Sequence, residues 1–150
     1  MIGLIQRVES AEVRVDGAVV GAVTRGLLAF IAVRRDDAES EAERLLERLL
    51  SYRVFPDSEG RMSLSLREVQ GGLLLVPQFT LAADTKKGTR AGFSSAAEPE
   101  EARRLFGYLL GKARESYPHV SAGLFGAHMQ VSLVNDGPVT FWLEAPSRRA

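Results

Sequence analysis

The chain has 150 residues, enough to bury a core in one domain, and it is 45% apolar and 25% charged, which excludes a disordered or fibrous protein. No apolar run is longer than residues 26–33, too short for a membrane-spanning helix, and the absence of cysteine removes disulfides and thiol chemistry. Nineteen basic and nineteen acidic residues cancel, so bulk charge does not announce a nucleic-acid binder, although a local patch could still touch an RNA end. Met1-Ile2-Gly3-Leu4 lacks a basic n-region and a cleavage site, so a cytoplasmic location is expected.

Taken in order, residues 2–8 read as a strand. Val13 and Val15 alternate with charged neighbours up to Asp16-Gly17, a two-residue hairpin signal, and Val19 and Val20 follow. Residues 27–33 are almost all apolar and short, which predicts a strand buried on both faces. Asp36 with Glu39 three residues on predicts a capped helix start. Ala42, Leu45, Leu46, Leu49 and Leu50 then make one apolar helix face, with Glu41, Glu43, Arg44, Glu47 and Arg48 on the solvated side. Residues 53–55 predict a short strand and 56–60 a turn. Met62, Leu64 and Leu66 alternate as a half-exposed segment. Residues 73–76 predict a second buried strand. Residues 83–95 form the longest loop, where functional groups tend to gather.

A second helix starts near Pro99 and stops at Pro118, with Ala102, Leu105, Phe106, Leu109, Leu110 and Ala113 as its apolar stripe. Met129, Val131 and Leu133 alternate on a strand. A break at Asn135-Asp136-Gly137-Pro138 follows, then a last strand over 139–143, and the tail from Pro146 to Ala150 is expected to be mobile. The pattern predicts one domain, 1–150. Its class is α/β, with mixed, mostly antiparallel curved sheets in β-β-α layers and two main helices packed on one side. Residues 27–55 allow one crossover.

Familiar catalytic sets are missing. His119 and His128 are too few for a tri-histidine metal site and lack HxxxH spacing. There is no GxSxG elbow and no GxxxxGK[ST] phosphate loop. Backbone N–H groups, hydroxyls and the substrate's own groups remain as chemical resources. Two stretches stand out. In Val76-Pro77-Gln78-Phe79-Thr80-Leu81, strand alternation would put Gln78 and Thr80 on one face, just past a buried strand, where ligands bind α/β sheets. In Asn135-Asp136-Gly137-Pro138, the proline cannot sit in a central ladder and the glycine allows close approach of a ligand. On these residues alone, each also fits an ordinary strand or turn.

Together the two stretches resemble the paired signatures of the D-aminoacyl-tRNA deacylase family. The likeness extends through Ile5-Gln6-Arg7-Val8, Ala83-Asp84-Thr85-Lys86-Lys87-Gly88 with Arg90, Phe125-Gly126-Ala127 with Met129, and residues 133–143, so it covers nearly the whole chain in order. It implies hydrolysis of the ester joining a D-amino acid, or a glycine charged on the wrong tRNA, to the terminal adenosine. It also implies a homodimer, with no metal, no cofactor, no membrane and no DNA partner. In the family, Gly137 and Pro138 would form a cis turn reaching the partner's site and Arg7 would hold it. Gln78, Phe79 and Thr80 would line the scissile ester. Phe125 and Met129 would flank the adenosine, and Lys86, Lys87 and Arg90 would meet tRNA phosphates.

The sequence departs from the family at Pro77, where Ser is usual, so no serine nucleophile is available there. A sister branch carries Pro at that position and Ala in place of Phe79. Phe79 and Val139 place this chain with the D-aminoacyl branch. Thr80 has no base near it in sequence, which favours assistance from the substrate's 2′-OH over attack by Thr80. The competing reading is a dimeric, non-catalytic module that binds nucleotides or RNA ends.

Overall fold

A computed structural model describes residues 1–147. The chain opens with one strand, β1 (Ile2–Val15), longer than expected because the two apolar runs join without a break. It turns through Asp16 and Gly17 into β2 (Ala18–Val23), the hairpin that the sequence predicts. β3 (Gly26–Ala32) pairs with β1 on the same edge, antiparallel. Its residues alternate between two cores, Leu27, Ala29 and Ile31 in one and Leu28 in the other, so it is buried on both faces as expected.

Helix α1 (Glu39–Ser51) begins later than the sequence suggests. Asp36 does not cap it; instead the Glu41 carboxylate accepts the N–H of Ala38 at 2.7 Å. Glu41 is therefore buried and not on the solvated face, since the start of the helix turns it inward. The neighbouring Asp37 is buried too. It accepts from the α-amino group of Met1 at 2.9 Å and from the N–H of Arg34 at 2.6 Å.

The short strand expected at 53–55 is β4 (Phe55–Pro56), paired with β5 (Met62–Leu64). Leu66 does not continue β5. It opens α2 (Leu66–Val69), because Ser65 and Glu68 cap each other's backbone, a capping box that outweighs the alternation. β6 (Gly72–Pro77) then pairs parallel with β3. Helix α3 (Pro99–Ser116) follows the loop at 83–95, with Ala102, Leu105, Phe106, Leu109 and Ala113 buried. β7 (Val120–Ala122), too short to show a pattern, pairs parallel with β6. Two crossovers thus occur, one more than expected, and the first reaches β6 rather than the short strand.

The last strand, β8 (Gln130–Glu144), holds the largest difference. The runs on either side of the Asn-Asp-Gly-Pro break belong to one strand, because both pair with the free edge of β1 in the same direction. Asn135 faces Val8 and Thr140 faces Gln6, so residues 136–139 bulge out over Arg7. Pro138 is tolerated because the bulge lies outside the ladder.

The sheet curls almost into a barrel. Its path β2-β1-β3-β6-β7 brings the ends together, where the Ser121 hydroxyl donates to the Ala22 carbonyl at 3.0 Å. One core, with Ile5, Leu27, Leu73 and Leu75, is covered by α1 and α3 on the same side. The other, with Val8, Val13, Leu28, Leu74 and Val76, is the opposite face of the sheet packed on itself. Of the expected mobile tail, Ser147 donates its hydroxyl to the Asp36 carbonyl at 2.9 Å, and Arg148, Arg149 and Ala150 lie outside the described residues.

Candidate functional site

The bulge at 136–139 is held by two side chains, those of Arg7 and Asn135. The Gly137–Pro138 peptide bond is cis. Arg7 donates Nε to the Asp136 carbonyl at 3.1 Å and Nη1 to the Val54 carbonyl at 2.7 Å. Its guanidinium also lies 3.2 Å from the Asp136 carboxylate, and the Arg7 side chain is only 12% exposed. Asn135 closes the mouth of the bulge. Its Nδ2 donates to the carbonyls of Arg7 and Val139, each at 3.0 Å, and its Oδ1 accepts the Val139 N–H at 3.2 Å. A charge-assisted bond and a two-point amide clamp together leave the backbone of this loop little freedom. Gly137 has φ +135°, and a Cβ there would lie 2.6 Å from Val139 Cγ2 and 2.9 Å from Val139 N, so no other residue fits without displacement.

The second stretch is built differently. Pro77 ends β6, and the Gln78 N–H donates to the Ile31 carbonyl at 2.7 Å. Phe79–Ala82 is then a 3₁₀ turn and not strand-like, because the chain leaves the sheet there. Gln78 and Thr80 still meet, but across the turn: Gln78 Nε2 donates to Thr80 Oγ1. Among the described residues no carboxylate or imidazole is hydrogen-bonded to Thr80, in keeping with the missing base. Phe79 is 60% exposed, with Phe93 beside it at a ring separation of 5.3 Å.

Of the two adenosine-side candidates, Met129 lies near this stretch. Gly123 sits over Pro77 and Met129, where a Cβ would lie 2.8 Å from the Met129 sulfur and 3.5 Å from Pro77 Cδ. The same sulfur accepts the N–H of Leu124 at 3.4 Å. Phe125 packs against Phe106 at 6.2 Å, with the Arg103 guanidinium 4.8 Å over its ring. Lys86, Lys87 and Arg90 are exposed on the loop at 83–95 and, among the described residues, have no acidic partner in an ion pair. An antiparallel bridge between Asp84 and Gly92 pins the base of that loop.

One chain does not bring the two stretches together. Pro77 is in register with Ile31, Ile31 with Gly3, and Gly3 is four residues from Arg7. That is roughly 13 Å along the strands, plus roughly 14 Å for the three strand spacings from β8 to β6. His119 lies away from both, edge-on to Tyr117 at 5.9 Å. The sequence offered no pointer to the Val54 carbonyl, a backbone contact far away in the chain. Phe93 carried a faint one, as the aromatic residue in a loop rich in Gly and Ser.

Comparison with known proteins shows the family to which the chain belongs. Residues 4–144 match the family model for D-Tyr-tRNA(Tyr) deacylase. A D-aminoacyl-tRNA deacylase of Alkalilimnicola ehrlichii is 68% identical over 145 residues, covering 97% of each chain. One from Thioalkalivibrio sulfidiphilus is 62% identical over 149 residues, covering 99% of this chain and all of that one. Among solved structures, c-Myc DNA Unwinding Element Binding Protein superposes with a TM-score of 0.93 at 36% identity, covering 97% of this chain and 99% of that one. A probable eukaryotic D-amino acid tRNA deacylase gives 0.83 at 17% identity, over 95% and 98%, which shows a shared fold.

Proposed function

The chain belongs to the D-Tyr-tRNA(Tyr) deacylase family, and from that membership we infer its reaction and the residues that carry it. It is a hydrolase that cleaves the ester of D-aminoacyl-tRNA, releasing the D-amino acid and free tRNA, a proofreading step in translation.

The residue roles extend this reading. The observation that carries them is the held loop at 136–139, whose backbone is fixed by Arg7 and Asn135. Ester hydrolysis itself needs little that separates D from L, so selection must come from shape. At a chiral carbon the mirror form exchanges hydrogen and side chain. A main-chain wall at Gly137 and Pro138, close to the hydrogen of a D substrate, would clash with an L side chain and pass glycine. Glycyl-tRNA on the wrong tRNA is therefore a second substrate.

Gln78, Phe79 and Thr80, with Pro77 behind them, line the ester; Phe125 and Met129 flank the terminal adenosine; and Lys86, Lys87 and Arg90 take phosphates. The oxygen of Thr80 already accepts from Gln78 and has no base. The ribose 2′-OH therefore assists the attack, and the protein supplies position and backbone donors.

The separation of the two stretches within one chain supports a homodimer in which the loop of one protomer completes the other's site. So does the position of β8, an edge strand whose outer backbone edge has no strand partner among the described residues, an edge that proteins commonly cover. The working unit is one domain over 1–150, in the cytoplasm with its tRNA.

Hydrolysis of D-, L- and glycyl-tRNA esters tests the reading: the D and glycyl esters should turn over and the L ester should not. Mixing an Arg7→Ala protomer with a Thr80→Ala, Gln78→Ala protomer should restore selective turnover to the mixed dimer; a monomer in sedimentation that is fully active would overturn completion by the partner. Cell fractionation and limited proteolysis check location and domain. A second reading, nucleic-acid binding without catalysis, is favoured by the name of the c-Myc DNA Unwinding Element Binding Protein. Duplex-DNA affinity with no deacylation would decide for it.

A further inference from the structure

We propose that Asn135 is a positioning residue for chiral selection, acting through the backbone of the Gly137–Pro138 loop and not by touching substrate; this rests on the reading above. Three features of its side chain point that way. It sits at the last paired position before the bulge, opposite Val8. Its amide presents both a donor and an acceptor to the far side of the bulge, giving Nδ2 to the Val139 carbonyl at 3.0 Å and taking the Val139 N–H at 3.2 Å. The same Nδ2 spends its other hydrogen on the carbonyl of Arg7, at 3.0 Å, in the neighbouring strand.

Asn135 thus replaces the strand partner that Val139 lacks, and it ties both ends of the four-residue loop to β1. Arg7 answers from the other side: its side chain holds the Asp136 carbonyl while its own main chain is held by Asn135. The two residues form a reciprocal lock in which each fixes the backbone beside the other. Amide chemistry is required at this place. A carboxylate of the same size has no hydrogen to give, so it would face two carbonyl oxygens with lone pairs only. Serine has a single O–H, so it could donate to only one of the two carbonyls. Thr140, by contrast, already faces its own partner Gln6 and bonds it at 3.2 Å, so the ladder resumes immediately beyond the lock.

If the wall selects by being stiff, then weakening the lock must let L substrates in. The experiment uses the full-length protein and its Asn135→Asp variant, with kcat/KM measured for matched D- and L-tyrosyl-tRNA and the fold checked by circular dichroism. Hydrolysis of the L ester should rise in absolute terms. The D-to-L ratio should fall by at least about tenfold, equivalent to about 1.4 kcal/mol of lost discrimination. Asn135→Ser should move the ratio the same way by less, and it carries the test if the aspartate variant does not fold. A folded variant in which L hydrolysis does not rise, or in which both esters slow equally, would overturn the inference, because a merely structural residue would lower both. A wild-type protein that cleaves D and L esters alike would overturn the reading on which the inference rests, and the inference with it.

Discussion

The two signature regions differ in exposure: residues 78–95 turn most of their side chains to solvent, whereas side chains anchor the loop at 136–139. The loop at 136–139 is tied by Arg7 to the Asp136 and Val54 carbonyls and by Asn135 to Arg7 and Val139. Residues 78–95 present Phe79 and Phe93 at 60% and 44% exposure, with no ion pair to the side chains of Lys86, Lys87 or Arg90 among the described residues. Shape exclusion works only if the wall cannot move, whereas a surface that receives an RNA end gains from room and charge. On that hypothesis, changes in the first region should alter which substrate is accepted, and changes in the second should alter how well any substrate is held or cleaved.

The sharpest break of this contrast is a pair of glycines with positive φ. In Gly137→Ala the new methyl would meet Val139 and Arg7, whereas at Gly88, with φ +67°, nothing lies within 4 Å. Gly137→Ala should cost about 1–3 kcal/mol and lower the melting temperature by several degrees, with loss of most selective activity. Gly88→Ala should cost about 1–2 kcal/mol for its backbone alone and leave the D-to-L ratio where it was. Melting curves and paired ester assays check both. Equal effects on selectivity would mean that packing around Gly137 does not matter.

Arg7→Ala should come next. It leaves two carbonyls without their donor, a loss of about 1–3 kcal/mol. L-aminoacyl esters should be admitted before D activity disappears, and Arg7→Lys should not restore selectivity, since an ammonium lacks the guanidinium fork that spans Asp136 and Val54. Retention of full selectivity by Arg7→Ala would remove Arg7 from the lock.

In the open region, Thr80→Ala should retain measurable deacylation, down by about ten- to a hundredfold, because position and backbone donors remain. A tRNA ending in 2′-deoxyadenosine should be the more damaging change with the unaltered protein. Complete loss in Thr80→Ala, with fold and tRNA binding intact, would instead make Thr80 the nucleophile. The smallest effect belongs to the exposed lysines. Replacing Lys86 and Lys87 by Gln should weaken tRNA binding at low salt and reduce the salt slope by about 1.4, the release expected for two single-strand phosphate contacts. An unchanged slope would make the loop a solvated surface.

Much of the candidate site is legible in the sequence. Gln78, Thr80 and Gly137 stand out in their stretches, Asn135 and Asp136 read as turn-formers, and Arg7 enters through the family resemblance alone. What could not be read was their arrangement. Strand alternation put Gln78 and Thr80 side by side, whereas a 3₁₀ turn joins them, because the chain leaves the sheet after Pro77.

The features that the chain dictated by itself are those with a local cause. The Asp16-Gly17 hairpin, the doubly buried run in β3, and the stripes of α1 and α3 follow from turn chemistry and from hydrophobic period, which a short window contains. Tertiary structure decided the rest. Whether Asn-Asp-Gly-Pro reverses the chain or bulges from a continuing strand depends on the register with β1, whose partners lie more than a hundred residues away. Asp37 rather than Asp36 is drawn inside because the amino group of Met1 arrives beside it. The distance between the two signatures, too, is a property of strand order, which no stretch of sequence contains.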